Sequence, residues 1–241
     1  MPISHLLISA VVLHLAIAMP TAATTKLQVR DGSKVSGSLA TYNYANVEDG
    51  ICAGSDKYIM FDNYKATMFT SCSQWSVPKN SGEEVGDIWN AIQQVSGETG
   101  VDHRFILAIV MQESGGCVRV PGTDNGVRNP GLLQDHDGAA TCNENGVTTP
   151  CSQETITQMI RVGVAGTAAG DGLAQCINNA IEQFHDEDAK AYYRAARNYN
   201  SGSVADSGTL EEGIATHRYA SDIANRLTGW VNPDHGCSET Q

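Results

Sequence analysis

Seven consecutive apolar residues, Phe105 to Met111, lead into Glu113 in the stretch "FILAIVMQESGG". On a helix, Phe105, Ile109 and Glu113 lie four apart, and Ile106 and Val110 complete an adjacent row. The acid therefore projects from a face that is otherwise core-like. A carboxyl group against apolar walls holds its proton to higher pH, and a proton kept near neutrality is what a general acid needs. The competing reading is a helix-terminal Glu turned to solvent, and this stretch alone does not choose. Asp124, in "GTDNGV", and Asp135 and Asp137, beside "LLQ", follow in the next loop. One of them would be needed as a second carboxylate if a water has to lose a proton. Each by itself reads as a solvated loop residue.

The elements that must hold Glu113 are helical. In "EEVGDIWNAIQQVSGETG", Val85, Ile88, Ile92 and Val95 recur at three and four, and Gly97 or Gly100 stops the run. "SGEE" is a helix start, Asp102 caps the Glu113 helix, and Gly115-Gly116 ends it. A long loop rich in Gly, Asn, Asp and Pro spans 115–151. "SQETITQMIRVGVAG", "DGLAQCINNAIEQFH", "EDAKAYYRAARNYN" and "ATHRYASDIANRLTGW" read as four more helices. The helix carrying Glu113, apolar nearly all round, should be central.

Residues 24–80 read differently. "KLQVR", "SLATYNYANV", "KYIMF" and "ATMFTSC" carry alternating, aromatic or β-branched residues between turn formers, the pattern of a few short strands. The expected organisation is a signal peptide over 1–23, a small β-containing segment over 24–80 and a helical domain over 81–241. The segment serves either as a structural extension or as a sugar-binding module using Tyr42, Tyr44, Tyr58 or Trp75, and the former is favoured. The apolar run from Leu6 to Met19, followed by small residues, is shorter than the roughly 20 residues that span a bilayer. The mature chain is expected to be secreted, free of membrane and monomeric.

Seven cysteines in an oxidising compartment are read first as disulfides. Cys142 and Cys151 bracket a short loop and are expected to pair, as are Cys52 and Cys72. Cys117, Cys176 and Cys237 compete for a third bond. No zinc-binding spacing occurs, and neither metal nor cofactor is expected. Residues 24–80 carry six Lys/Arg against five Asp/Glu, and residues 81–241 nine against twenty-two, which together account for the net charge of −12. So acidic a domain repels nucleic acid, and DNA or RNA binding is set aside.

Two further runs, "NPGLLQ" and "ARNYNSGS", join "ESGG" to form an ordered set. Glu113-Ser114, Gly131-Leu132-Leu133-Gln134 and Tyr199-Asn200-Ser201-Gly202 resemble the three signature motifs of glycoside hydrolase family 23, the soluble lytic transglycosylases and goose-type lysozymes. The likeness covers roughly residues 83–230 and is nearest to secreted fungal members. It implies a predominantly α, lysozyme-like domain preceded by the small disulfide-stapled segment. It makes Glu113 the acid that protonates the glycosidic oxygen, with Ser114 beside it. Gln134 would shape the cleft, Tyr199 would contact and orient Glu113, and Asn200 would touch substrate. Leu133 stands where the family has Met, a volume-conserving change.

The same resemblance implies cleavage of β-1,4 links in an N-acetylated aminosugar polymer, peptidoglycan by default and chitin as the alternative. The family's transglycosylases need only one Glu, because the sugar's own 6-hydroxyl attacks and leaves a 1,6-anhydro end. Hydrolysis needs a base, and Asp124, Asp135 and Asp137 together tilt the expectation that way; Asp124 falls near an acidic loop position of the goose-type enzymes. The net −13 of residues 81–241 opposes an anionic wall polymer until carboxylates protonate below about pH 4 to 5. A non-catalytic sugar-binding protein on the same fold is the remaining alternative.

Overall fold

The computed structural model describes residues 57–186, 189–227 and 231. Residues 1–23, where a signal peptide is expected, residues 24–56 with Cys52, and Cys237 lie outside them. Among the described residues there are seven α-helices and one two-stranded hairpin, so the chain is predominantly helical. No described helix is long and apolar enough to cross a membrane.

Helix α1, Lys57–Thr70, and the 3-10 turn Ser71–Trp75 occupy the stretch where strands were expected. "KYIMF" and "ATMFTSC" are helical because Phe61, Tyr64 and Met68, spaced three and four apart, all enter the core. Over so few residues their β-prone types hid the helical period. They join the same core as the helices that follow, so residues 57–80 form no separate strand-built module.

Helix α2, Gly82–Thr99, starts from a capping box in which Ser81 accepts from the Glu84 N–H and the Glu84 carboxylate accepts from the Ser81 N–H. It ends at Gly100 in the left-handed region. Helix α3, His103–Ser114, is capped by Asp102, whose carboxylate accepts from Arg104 N at 2.8 Å. Every residue from Phe105 to Met111 is buried, as the sequence predicts for a central helix. Gly115 and Gly116 terminate it with φ of 59° and 76°. They also let α1 come close, since a Cβ on Gly116 would lie 2.7 Å from Met68 Cγ and one on Gly115 3.0 Å from Ser71 Cβ.

That approach decides a disulfide. Cys72 bonds Cys117, with Cα atoms 5.0 Å apart, rather than the expected Cys52. Asn80 braces the same junction by donating to Met68 O at 2.9 Å and Gly116 O at 2.7 Å, while its own carbonyl accepts from Val118 N. Cys142 pairs with Cys151 as expected, and Cys176 is a buried free thiol.

The long loop after α3 contains the antiparallel hairpin of β1, Thr123–Asp124, and β2, Arg128–Asn129. Helices α4, Gln153–Ala165, α5, Leu173–Phe184, α6, Ala189–Ser201, and α7, Tyr219–Leu227, complete the domain. Helix α4 lies along α2, α5 along α6, and α7 packs against both α6 and α3.

One buried ion pair links four segments of this framework. The Arg119 guanidinium reaches Glu84, Thr148 O, Thr149 Oγ1 and the carbonyls of Pro78 and Lys79. The Glu84 carboxylate also accepts from Cys151 N at 2.8 Å. Burial pushes the Glu84 carboxyl up, but the Ser81 and Cys151 N–H groups and Arg119 together bring it below the usual range. Removing one partner of such a pair leaves an uncompensated charge in the interior. Arg119→Met should therefore cost about 3–5 kcal/mol of unfolding free energy in urea titration, and adding Glu84→Gln should recover part of it. A loss under about 1 kcal/mol would mean that the pair is dispensable.

Candidate active site

Glu113 sits in the last turn of α3, half-buried, as the apolar face of that helix requires. Its Oε1 accepts a short hydrogen bond from the Tyr219 hydroxyl at the start of α7. Burial raises the Glu113 carboxyl to about 7, and the Tyr219 bond pulls against that rise without cancelling it. An acid of this kind keeps its proton near neutrality and can still release it to a leaving-group oxygen.

The partner of Glu113 is thus not the expected one. Tyr199 donates instead to Leu133 O at 2.8 Å, joining α6 to the "NPGLLQ" turn. It remains within electrostatic reach of the acid. Burial, then the charges of Asp135 and Glu113, push its phenol well above the ordinary range. Tyr219 escaped the sequence reading because it lies in no signature run. The available signal was its place in "RYASDIANRL", on the helix face that also buries Ala220 and Ile223.

Gln134 stands where the sequence reading places a cleft-shaping residue, in the left-handed conformation with φ of 47°. Its amide donates to Gly131 O at 3.0 Å and Pro121 O at 3.3 Å and accepts from Thr123 N at 3.1 Å. It clasps the hairpin to the turn that holds Leu133. Ser114 faces inward at 1 % exposure, donating to Val110 O and accepting from Gly116 N. Its hydroxyl secures the helix end rather than a substrate. Asn200, expected to touch substrate, accepts at its Oδ1 from Thr216 N at 3.0 Å.

The three candidate second carboxylates separate clearly. Asp124 is exposed on the hairpin and accepts from Gly126 N at 3.0 Å. Asp137 is exposed in a left-handed turn, its N–H donating to Arg128 O. Asp135 is 2 % exposed, and neither carboxyl oxygen has a hydrogen-bond partner from another residue. Gly138 makes room for it, since a Cβ there would overlap Asp135 Oδ2. Burial raises Asp135 to about 8 against the weaker opposing pull of its own N–H and Arg128.

Among the described residues no group of His, Cys, Asp and Glu could hold a metal ion. The open polar groove between α5 and the end of α6, lined by Asn179, Glu182, Asn198 and Asp206 among others, contains none of the acids discussed above. No family model matches the chain, and no curated protein or solved structure matches it.

The buried acids have a consequence for stability. With folded values of about 7 for Glu113 and about 8 for Asp135, the native state holds protons that the unfolded chain has already released. Their contribution is complete below the ordinary carboxylate range near pH 4 and is lost as pH rises through 7 to 8. Melting temperature should fall between pH 4.5 and 8, by several degrees on the order expected for a loss of a kcal/mol or more. Asp135→Asn should flatten that slope. An unchanged slope in the variant would mean that Asp135 ionises freely in the folded protein.

Proposed function

We propose that the protein is a secreted glycosidase with a lysozyme-like domain that cleaves β-1,4 bonds of an N-acetylated aminosugar polymer, most directly the peptidoglycan of bacterial walls. The observation that carries this reading is the state of Glu113: a half-buried carboxyl at a helix end, held near 7 and bonded to a neutral phenol. Such a group donates a proton to the glycosidic oxygen as the bond breaks, and the Tyr219 hydroxyl then stabilises the carboxylate left behind. The order of "ESGG", "NPGLLQ" and "ARNYNSGS" supports the family likeness, and the Tyr199–Leu133 bond joins two of these runs. The disulfides Cys72–Cys117 and Cys142–Cys151 fit an extracellular setting.

Hydrolysis requires a carboxylate that takes a proton from water, and Asp124 and Asp137, both exposed, are the candidates for that role. Asp135 supports a second reading. Raised to about 8, it is protonated wherever Glu113 is, and a protonated carboxyl cannot activate water. Capture of the anomeric carbon by the sugar's own 6-hydroxyl needs no second carboxylate: Glu113, left as a carboxylate once it has protonated the leaving oxygen, takes up the proton of that hydroxyl, and the product would carry a 1,6-anhydro end.

Glu113→Gln keeps the shape of the side chain and removes its proton. It should lower cleavage of purified cell walls by at least about 10²–10⁴-fold while leaving the circular dichroism spectrum intact. Mass spectrometry of the wild-type products separates the two outcomes, because hydrated and anhydro ends differ by one water. Activity of the variant within about tenfold of wild type would move the acid elsewhere. Release from chitin oligomers but not from walls would replace the substrate.

A further inference from the structure

Arg197, two residues before Tyr199 on α6, is fully buried at 0 % exposure. Its guanidinium meets backbone carbonyls rather than a carboxylate. Nη1 donates to Thr216 O at 2.9 Å, and Nη2 donates to Glu212 O at 2.8 Å and Ile214 O at 2.6 Å. Nε has no partner, and burial lowers the pKa of the group. An interior cation is costly, and an apolar side chain of similar volume would fill the space for less. What the planar fork supplies is simultaneous grip on three carbonyls, which a lysine ammonium on a single stem does not reproduce.

Beyond that grip, the segment is tied by Ser207 Oγ, which donates to the Glu212 carboxylate, and by the contact of His217 Nδ1 with Glu211 O. Residues 211–215 are exposed, with Ile214 at 73 %. Thr216 is clamped from α6 at both of its peptide groups, since its N–H donates to Asn200 Oδ1 and its carbonyl accepts from Arg197. The same carbonyl accepts from Tyr219 N at 3.1 Å, at the first residue of α7. Burial of Ala220 and Ile223 fixes the direction of α7, and the clamp on Thr216 fixes where it begins. Tyr219 then carries that placement to Glu113.

We propose that Arg197 and Asn200 are positioning residues for the acid, acting through Thr216 to set the Tyr219 hydroxyl against Glu113. Their value to catalysis rests on the glycosidase reading, but the placement itself does not. The titratable neighbours of Glu113 are Tyr219 from α7 and Tyr199 from α6, with Asp135 acting on Tyr199 and Arg226 on Tyr219. Beside Glu113 on α3, Gln112 bonds Asp222 and Arg226 of α7, a second tie that none of the variants below removes.

The test is an NMR titration of the full chain with carboxyl-labelled glutamate, the Glu113 signal being assigned by its absence in Glu113→Gln. Tyr219→Phe removes the bond that favours the carboxylate, so the Glu113 midpoint should move upward. Arg197→Lys and Asn200→Ala should move it in the same direction. The double variant Arg197→Lys/Tyr219→Phe should match Tyr219→Phe alone, because both changes remove one contact. Folded Arg197→Lys with a wild-type midpoint, or a double variant whose shift is the sum of the two, would overturn the proposal. If Arg197→Lys does not fold, Asn200→Ala decides, since Asn200 is half-buried and its loss frees one N–H of a loop. Cell-wall cleavage by the same variants is measured separately. Shifts in the variants together with a wild-type chain that cleaves no glycan would sink the glycosidase reading and leave the positioning intact.

Discussion

The ion pair between Glu84 and Arg119 ties together segments that are far apart along the chain. Residues 78–81, the start of α2, the chain after Cys117 and the residues around Cys151 all end on one of its polar atoms. The two disulfides attach to the same region, Cys117 two residues before Arg119 and Cys151 as a donor to Glu84. This cluster fixes the exit of the chain from α3 and the far end of the loop that carries the hairpin. Glu113 lies at that exit, so its setting depends on how firmly the loop is anchored behind it.

Three buried or half-buried acids in one domain meet different fates, and the contrast separates structure from chemistry. Glu84 has two backbone N–H groups and a guanidinium, so its charge is compensated and its carboxyl lies low. Glu113 has one neutral phenol and Asp135 has no partner from another residue, and both are pushed up. A charge that is fully paired is committed to the framework. A proton kept against an apolar wall with one weak partner is available to a ligand. The charges of both raised acids help push the Tyr199 phenol up, although it bonds neither of them.

Much of this framework was legible from residue order. The helix start at "SGEE", the cap at Asp102 and the glycine stop after Ser114 are local signals, and each stands where the sequence puts it. Helical spacing puts Glu113 on a core-like face, while packing decides that it is half-buried rather than turned to solvent. Residues 57–72 misled because Tyr, Phe, Ile and Thr suit strands, while the spacing of Phe61, Tyr64 and Met68 spans too few turns to declare itself. The pairing of Cys72 with Cys117, 45 residues apart, depends on the segment from Met68 to Ser71 lying against Gly115 and Gly116, which no local pattern encodes. Tyr219 is 106 residues from Glu113, and Arg119 is 35 from Glu84. Such partners are chosen by packing, as are the bonds of Tyr199 to Leu133 and of Asn200 to Thr216.

The central claim is that Glu113 delivers the proton that breaks a glycosidic bond. The most direct measurement is the pH dependence of kcat/KM on soluble peptidoglycan fragments, followed by release of new ends. The account predicts an alkaline limb near pH 7, the point at which Glu113 loses its proton, and a shift of that limb to higher pH in Tyr219→Phe. Cleavage that keeps rising through pH 8, or a limb that stays in place in the variant, would contradict it.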